Sequence, residues 1–74
     1  MALFRIVFSD GQNVEYHNVS KLTYISSYTK ESKVISSDLE KYQIPIGLPL
    51  WLSTENGTVG VSGENIRLIE VTKD

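Results

Sequence analysis

Apolar and polar positions alternate with a period of two along much of this chain, and the alternation breaks at Gly, Asp, Asn and Pro. In Ala2–Phe8, Phe4, Ile6 and Phe8 alternate with Leu3, Arg5 and Val7, which predicts a strand with one strongly apolar face. Asp10-Gly11 marks a turn, and Val14–Val19 reads as the returning strand. Two registers compete there. A two-residue Asp-Gly loop sets Phe8 opposite Asn13 and Ile6 opposite Glu15. An odd loop, Ser9–Asn13, or a bulge near it sets Phe8 opposite Val14 and Ile6 opposite Tyr16. A slip of one residue turns every side chain to the other face, so burial favours the odd loop. Lys21–Tyr28 alternates Leu22, Tyr24 and Ser26 against Thr23 and Ile25 and predicts a third strand. Thr29–Lys33 is polar and reads as a loop or hairpin tip, followed by a short extended Val34-Ile35.

The pattern is densest in Pro49–Thr72, which reads as three short strands and two tight turns. Asn56-Gly57 is a strong hairpin signal, because a type I′ turn needs φ > 0 at both central positions. That loop sets Leu52 opposite Val61 and Trp51 opposite Ser62. Leu52, Thr54, Val59 and Val61 then share a core face, and Trp51, Ser53, Gly60 and Ser62 share the other. A turn at Ser62–Asn65 leads into Ile66–Thr72, a β-branched run suited to a further strand.

Between these blocks, Ser37-Asp38-Leu39-Glu40 fits the S-x-x-E capping box and predicts a short helix over Asp38–Gln43. It must end by Ile44, because the residue before Pro45 is pushed out of the α region. The connector Ile44–Pro49, with two prolines and Gly47, suits a chain crossing an open end of a barrel. The whole pattern predicts one mainly β domain over residues 1–74. It comprises five to six short strands and one helical turn near 38–43, in a small SH3-like or OB-like barrel or a strongly bent antiparallel sheet. An open α+β sheet is the alternative.

Size and charge narrow the function classes. A chain of 74 residues buries only ~60 % of the surface its unfolded form exposes, so it folds with little stability to spare. Small scaffolds often compensate with disulfides, metals or self-association. Cysteine is absent and His17 is the single histidine, which argues against disulfides and a zinc site and leaves a homo-oligomer open. Net charge is −2. Residues 1–37 hold four basic groups against three acids, and residues 38–74 hold three against six. Neither half has the clustered Lys/Arg stripe of a nucleic-acid binder. No apolar run approaches the ~20 residues of a membrane helix, and no secretory leader opens the chain, so a cytoplasmic location is expected.

No catalytic constellation stands out. His17 lies two residues from Glu15, so both share a strand face, but no nucleophile or metal-ligand spacing accompanies them. Glycine spacing matches neither a P-loop nor a dinucleotide fold, and no cofactor is expected. Arg5 and Arg67 sit mid-strand, where pairing with a cross-strand carboxylate is the usual arrangement. The aromatic residues are the binding candidates. Trp51 points away from the core face, and with Tyr16, Tyr24, Tyr28 and Tyr42 it is read as a platform for a protein partner. Two structural readings of Trp51 compete: it shields Gly60 diagonally across the hairpin, or it plugs a barrel end with Ile44, Ile46 and Leu48. The ALYDY-type pattern of signalling SH3 domains is absent, as are the aromatic signatures of cold-shock domains. The expected function is a non-enzymatic β module that binds a protein partner or itself. The alternative is a nucleic-acid-associated OB-like or SH3-like module, with Tyr and Trp as stacking platforms.

Overall fold

A computed structural model describes all 74 residues. Its six strands are β1 (Ala2–Phe8), β2 (Asn13–Ile25), β3 (Ser32–Ile35), β4 (Leu50–Thr54), β5 (Gly57–Val61) and β6 (Ile66–Lys73). They form one antiparallel sheet in the order β5-β4-β2-β1-β6, with β3 also paired to β2. The sheet is not closed, since no ladder joins β5 to β6. The fold is therefore mainly β, as the alternation predicts.

The segments Val14–Val19 and Lys21–Tyr28, expected as separate strands, run as one 13-residue strand through Ile25. No glycine or proline interrupts residues 13–25, which fits the continuity, and two bulges explain how the strand serves both halves of the sheet. Between the pairs Ala2–Val19 and Phe4–Tyr16, β2 holds one residue more than β1, in the His17-Asn18 region. Between Val19–Thr54 and Lys21–Ser53 it holds one more than β4, at Ser20. Each bulge reverses the inward parity, from Tyr16 to Val19 and back to Leu22. Asn18 takes the left-handed conformation the first bulge requires, φ 55°. The bulges bend β2 so that both halves enclose one core of Ala2, Phe4, Ile6, Val19, Leu22, Leu39, Leu50, Leu52, Val61 and Ile66.

Both hairpins differ in register from expectation by an even number of positions. In the first, the loop is three residues, Ser9–Gly11, and Ile6 faces Val14 while Phe4 faces Tyr16. The Phe8 amide donates to the Gln12 carbonyl, Asp10 Oδ1 accepts from the Gln12 amide at 2.9 Å, and Gly11 takes φ 93°. These bonds tighten the loop. In the second hairpin the loop is Glu55-Asn56 and Gly57 opens β5. Asn56 does not take positive φ, so no type I′ turn forms. Thr54 Oγ1 instead accepts from the Asn56 amide at 3.2 Å and donates to the Gly57 carbonyl at 3.0 Å. Trp51 consequently faces Gly60, and Leu52 faces Val59. Each expected face keeps its members, because an even shift leaves parity unchanged.

The capping box does not form. Asp38 is left-handed (φ 54°), its side chain makes no cap hydrogen bond, and a single 3-10 turn, Leu39–Lys41, replaces the helix over 38–43. A turn and a half has too few intrahelical bonds to hold by itself. What anchors the segment is Leu39, buried in the core and packed near β6. The connector 44–49 runs over the β5–β6 turn. A Cβ on Gly63 would lie 2.2 Å from the Leu48 carbonyl oxygen, and Gly63 also takes φ 86°.

Candidate functional site

The five aromatic residues proposed as one platform divide between the two faces. Tyr16, opposite Phe4, and Tyr24, opposite Leu50, point inward and pack half-buried against the core, as does Tyr42. The Tyr24 and Tyr42 rings lie 6.2 Å apart at 42°, with their hydroxyls hydrogen-bonded. That bond, with burial, pushes the Tyr42 phenol above its ordinary pKa, because it holds the neutral form. Tyr28 is 95 % exposed in the turn before β3. Tyr24 and Tyr28 share a shallow pocket of about 260 Å³ with Gln43, Pro45 and Leu48, which Trp51 does not reach. Tyr16, Tyr24 and Tyr42 thus belong to packing. The reason is positional: parity along a bulged strand decides which side chains turn in.

Trp51 alone remains on the outer face. It is half-buried and does not plug a barrel end. Its indole lies over Gly60, directly opposite rather than diagonal, with Cδ1 and Nε1 each 3.5 Å from where a Cβ would stand. Across the sheet, Val34, Thr23, Trp51 and Gly60 form one transverse row on β3, β2, β4 and β5. Val34 is 58 % exposed, and Ile25, two residues beyond Thr23 on the same face, is also exposed.

This row ends at β5, an edge strand. β5, β3 and β6 each leave one edge unpaired along their length. Edge strands are usually blunted by charge, proline or a covering element. Lys33 lies on β3, and Arg67, Glu70 and Lys73 lie on β6, whereas β5 is Gly-Thr-Val-Gly-Val, with neither charge nor proline. The pair Thr54–Gly57 closes a two-residue loop, so these residues bond each other. Bonded and non-bonded pairs alternate in an antiparallel ladder. The amides and carbonyls of Thr58 and Gly60 therefore point away from β4. Sequence reading missed Val34, Thr23 and Thr58. The uncharged GTVGV run was visible, but only topology places it at an edge.

Two pairs of charged groups meet across the sheet, Arg5 with Glu70 and His17 with Asp74. Arg5 lies between Glu15 and Glu70 in the cross-strand row, and its Nε donates to Glu70 Oε1 at 3.3 Å. No carboxylate lies within ion-pair distance of Arg67. His17 approaches Asp74 Oδ1 at 3.5 Å and pairs with Asp74 rather than Glu15. Asp74 Oδ2 accepts from the bulge amide of Asn18 at 2.5 Å. That bond, then His17, holds the Asp74 carboxyl below its ordinary pKa. The His17 ring is 60 % exposed and lines none of the three concavities. No three His, Asp or Glu side chains converge on a common point, and no helix is long and apolar enough to cross a membrane. No family model, no curated protein and no solved structure matches the chain.

Proposed function

We propose that this domain is a non-enzymatic interaction module whose docking element is the free edge of β5, with the Trp51 row beside it. One observation carries the reading: among the three free-edged strands, β5 alone lacks charge and proline. An extended segment of a partner adds there as a further strand, bonding to Thr58 and Gly60. Trp51 supplies the adjoining apolar contact, since Gly60 has no side chain to separate the indole from an incoming strand. The partner is a protein or a copy of this chain, and the setting is the cytoplasm. We read the scaffold as a small SH3-like or OB-like barrel left open between β5 and β6, a reading that the six antiparallel strands and the bulged β2 support.

The nucleic-acid alternative has less support. Stacking of successive bases needs several aromatic faces side by side, and Tyr16, Tyr24 and Tyr42 are packed against the core. Catalysis by Glu15 and His17 has less still, because His17 is turned to Asp74 on an exposed surface.

The test is site-specific photocrosslinking inside the source cell. A benzophenone side chain at Thr58 is compared with one at Leu68, exposed on β6. Adducts enriched at position 58 support the reading. Equal or absent adducts at the two positions overturn it.

A further inference from the structure

We infer that the β5 edge takes a second copy of itself, forming an antiparallel β5–β5 dimer centred on Val59. The inference rests on the docking reading above and adds the occupant and the register.

Hydrogen-bond geometry sets the register. Within β5 only Thr58 and Gly60 turn their amides and carbonyls outward, as the Thr54–Gly57 closing pair dictates. In an antiparallel pairing of two identical strands, a two-fold axis through Val59 sets Thr58 opposite the partner's Gly60, and Gly60 opposite the partner's Thr58. Each of those pairs exchanges two hydrogen bonds, so all four outward N–H groups and all four outward C=O groups of the two strands are satisfied. An axis between any other two positions leaves at least one such group of each strand unpaired. The two copies of Val59 then form the non-bonded pair, with Cα atoms about 4.5 Å apart.

Charge and side-chain volume permit this occupant. Like charges placed opposite one another destabilise a sheet. Self-pairing of β3 about Lys33, or of β6 about Glu70, sets like charges opposite one another, whereas no register of β5 does. The nearest carboxylates, Glu55 and Glu64, fall opposite Gly63 and Thr54 of the partner subunit. Neither carboxylate meets another. On the outer face, the row Trp51–Gly60 continues into the partner's Thr58, with Gly60 leaving room for the indole to meet it. On the inner face, Leu52–Val59 continues into the partner's Val59. The interface is isologous, the symmetry most dimers use. Its five-residue length keeps it small, so the dimer forms weakly and depends on concentration.

Sedimentation equilibrium of the purified chain, from low micromolar to millimolar concentration, is the first arm. A monomer–dimer equilibrium is expected, weakened at least tenfold by Thr58→Pro, which removes an outward N–H without removing a bond to β4. The second arm needs no variant. In an equal mixture of isotope-labelled and unlabelled protein, a filtered NOE between the α-protons of the two Val59 residues is expected. A chain monomeric at every concentration overturns the inference, as does a dimer lacking the Val59 NOE. If position 58 still crosslinks to another protein in cells while the pure chain is monomeric, the dimer fails and the docking reading stands. If position 58 crosslinks to nothing, both fail.

Discussion

Trp51 and Gly60 face one another across β4 and β5, and a Cβ built on Gly60 would rest at 3.5 Å from the indole Cδ1 and Nε1. That separation is ordinary van der Waals contact, and Gly60 has no positive φ to relieve. Gly60→Ala should therefore fold normally and gain up to about 1 kcal/mol in urea denaturation, from the smaller conformational entropy of its unfolded chain. A loss of stability would mean that the indole packs tighter on the strand than its geometry indicates.

Gly63 is the opposite case. Its φ of 86° and the Leu48 carbonyl oxygen, 2.2 Å from the position of an added Cβ, both oppose a side chain. Gly63→Ala should cost more than about 2 kcal/mol, since backbone strain and a collision with main chain act together. Chemical denaturation of the two alanine variants, side by side, separates a glycine that spares space from one that the fold requires.

Trp51 and Leu52 are neighbours on opposite faces. Leu52 is fully buried, and Leu52→Ala should cost about 2–5 kcal/mol. Trp51→Ala should cost about 1–2 kcal/mol, below the range for a core tryptophan, and should weaken partner binding more than it weakens the fold. A Trp51→Ala chain that unfolds outright would return the residue to the core.

The Tyr24–Tyr42 hydroxyl pair makes stability depend on alkaline pH. Tyr42 titrates higher in the folded state than in the unfolded state. The folded chain therefore holds its proton more tightly, and the added stability is present below the ordinary phenol range, about 10. It is lost as pH rises through the raised value. Phenolate absorbance of the wild type against Tyr42→Phe should show one tyrosine titrating late. The variant should lose about 1 kcal/mol at neutral pH.

Asp74 acts at the acid end. Its carboxyl sits below the ordinary range because it accepts from the Asn18 amide and from His17. A depressed carboxyl stabilises the fold above its unfolded pKa, about 3.9, and loses that contribution as pH falls through the lower value. Asp74→Asn should flatten this acid dependence and speed amide exchange at Asn18. An unchanged Asn18 amide would show that the bulge holds without the carboxylate.

Period-two alternation was enough to assign the faces of β1, β4 and β5, because a face depends only on parity. Both expected registers were displaced, yet Leu52 and Val59, and Phe4 and Ile6, stayed on the faces assigned to them. What fixes the registers is local hydrogen bonding by Asp10 and Thr54, and residue type alone does not reveal it. The continuity of β2 was hidden for a related reason: its bulges at Asn18 and Ser20 interrupt the alternation as turns would. The capping box at Ser37–Glu40 lost to burial of Leu39 and a left-handed Asp38. The candidate site was legible only at Trp51. The inward direction of Tyr16 and Tyr24 was legible, since the expected register set Tyr16 opposite Ile6 and the alternation set Tyr24 beside Leu22, but aromatic type was read as exposure. β5 was missed because edge position is a property of topology.

β5 is an open edge with the Thr58 and Gly60 amides facing out. Amide hydrogen exchange by NMR at low micromolar concentration tests it directly. Slow exchange is expected at Val59 and Val61 and nearly unprotected exchange at Thr58 and Gly60, with protection of those two rising at millimolar concentration. Uniform protection of all four amides at the lowest concentration would contradict it. That result would mean the monomer covers β5 by itself, with β6 closing the sheet.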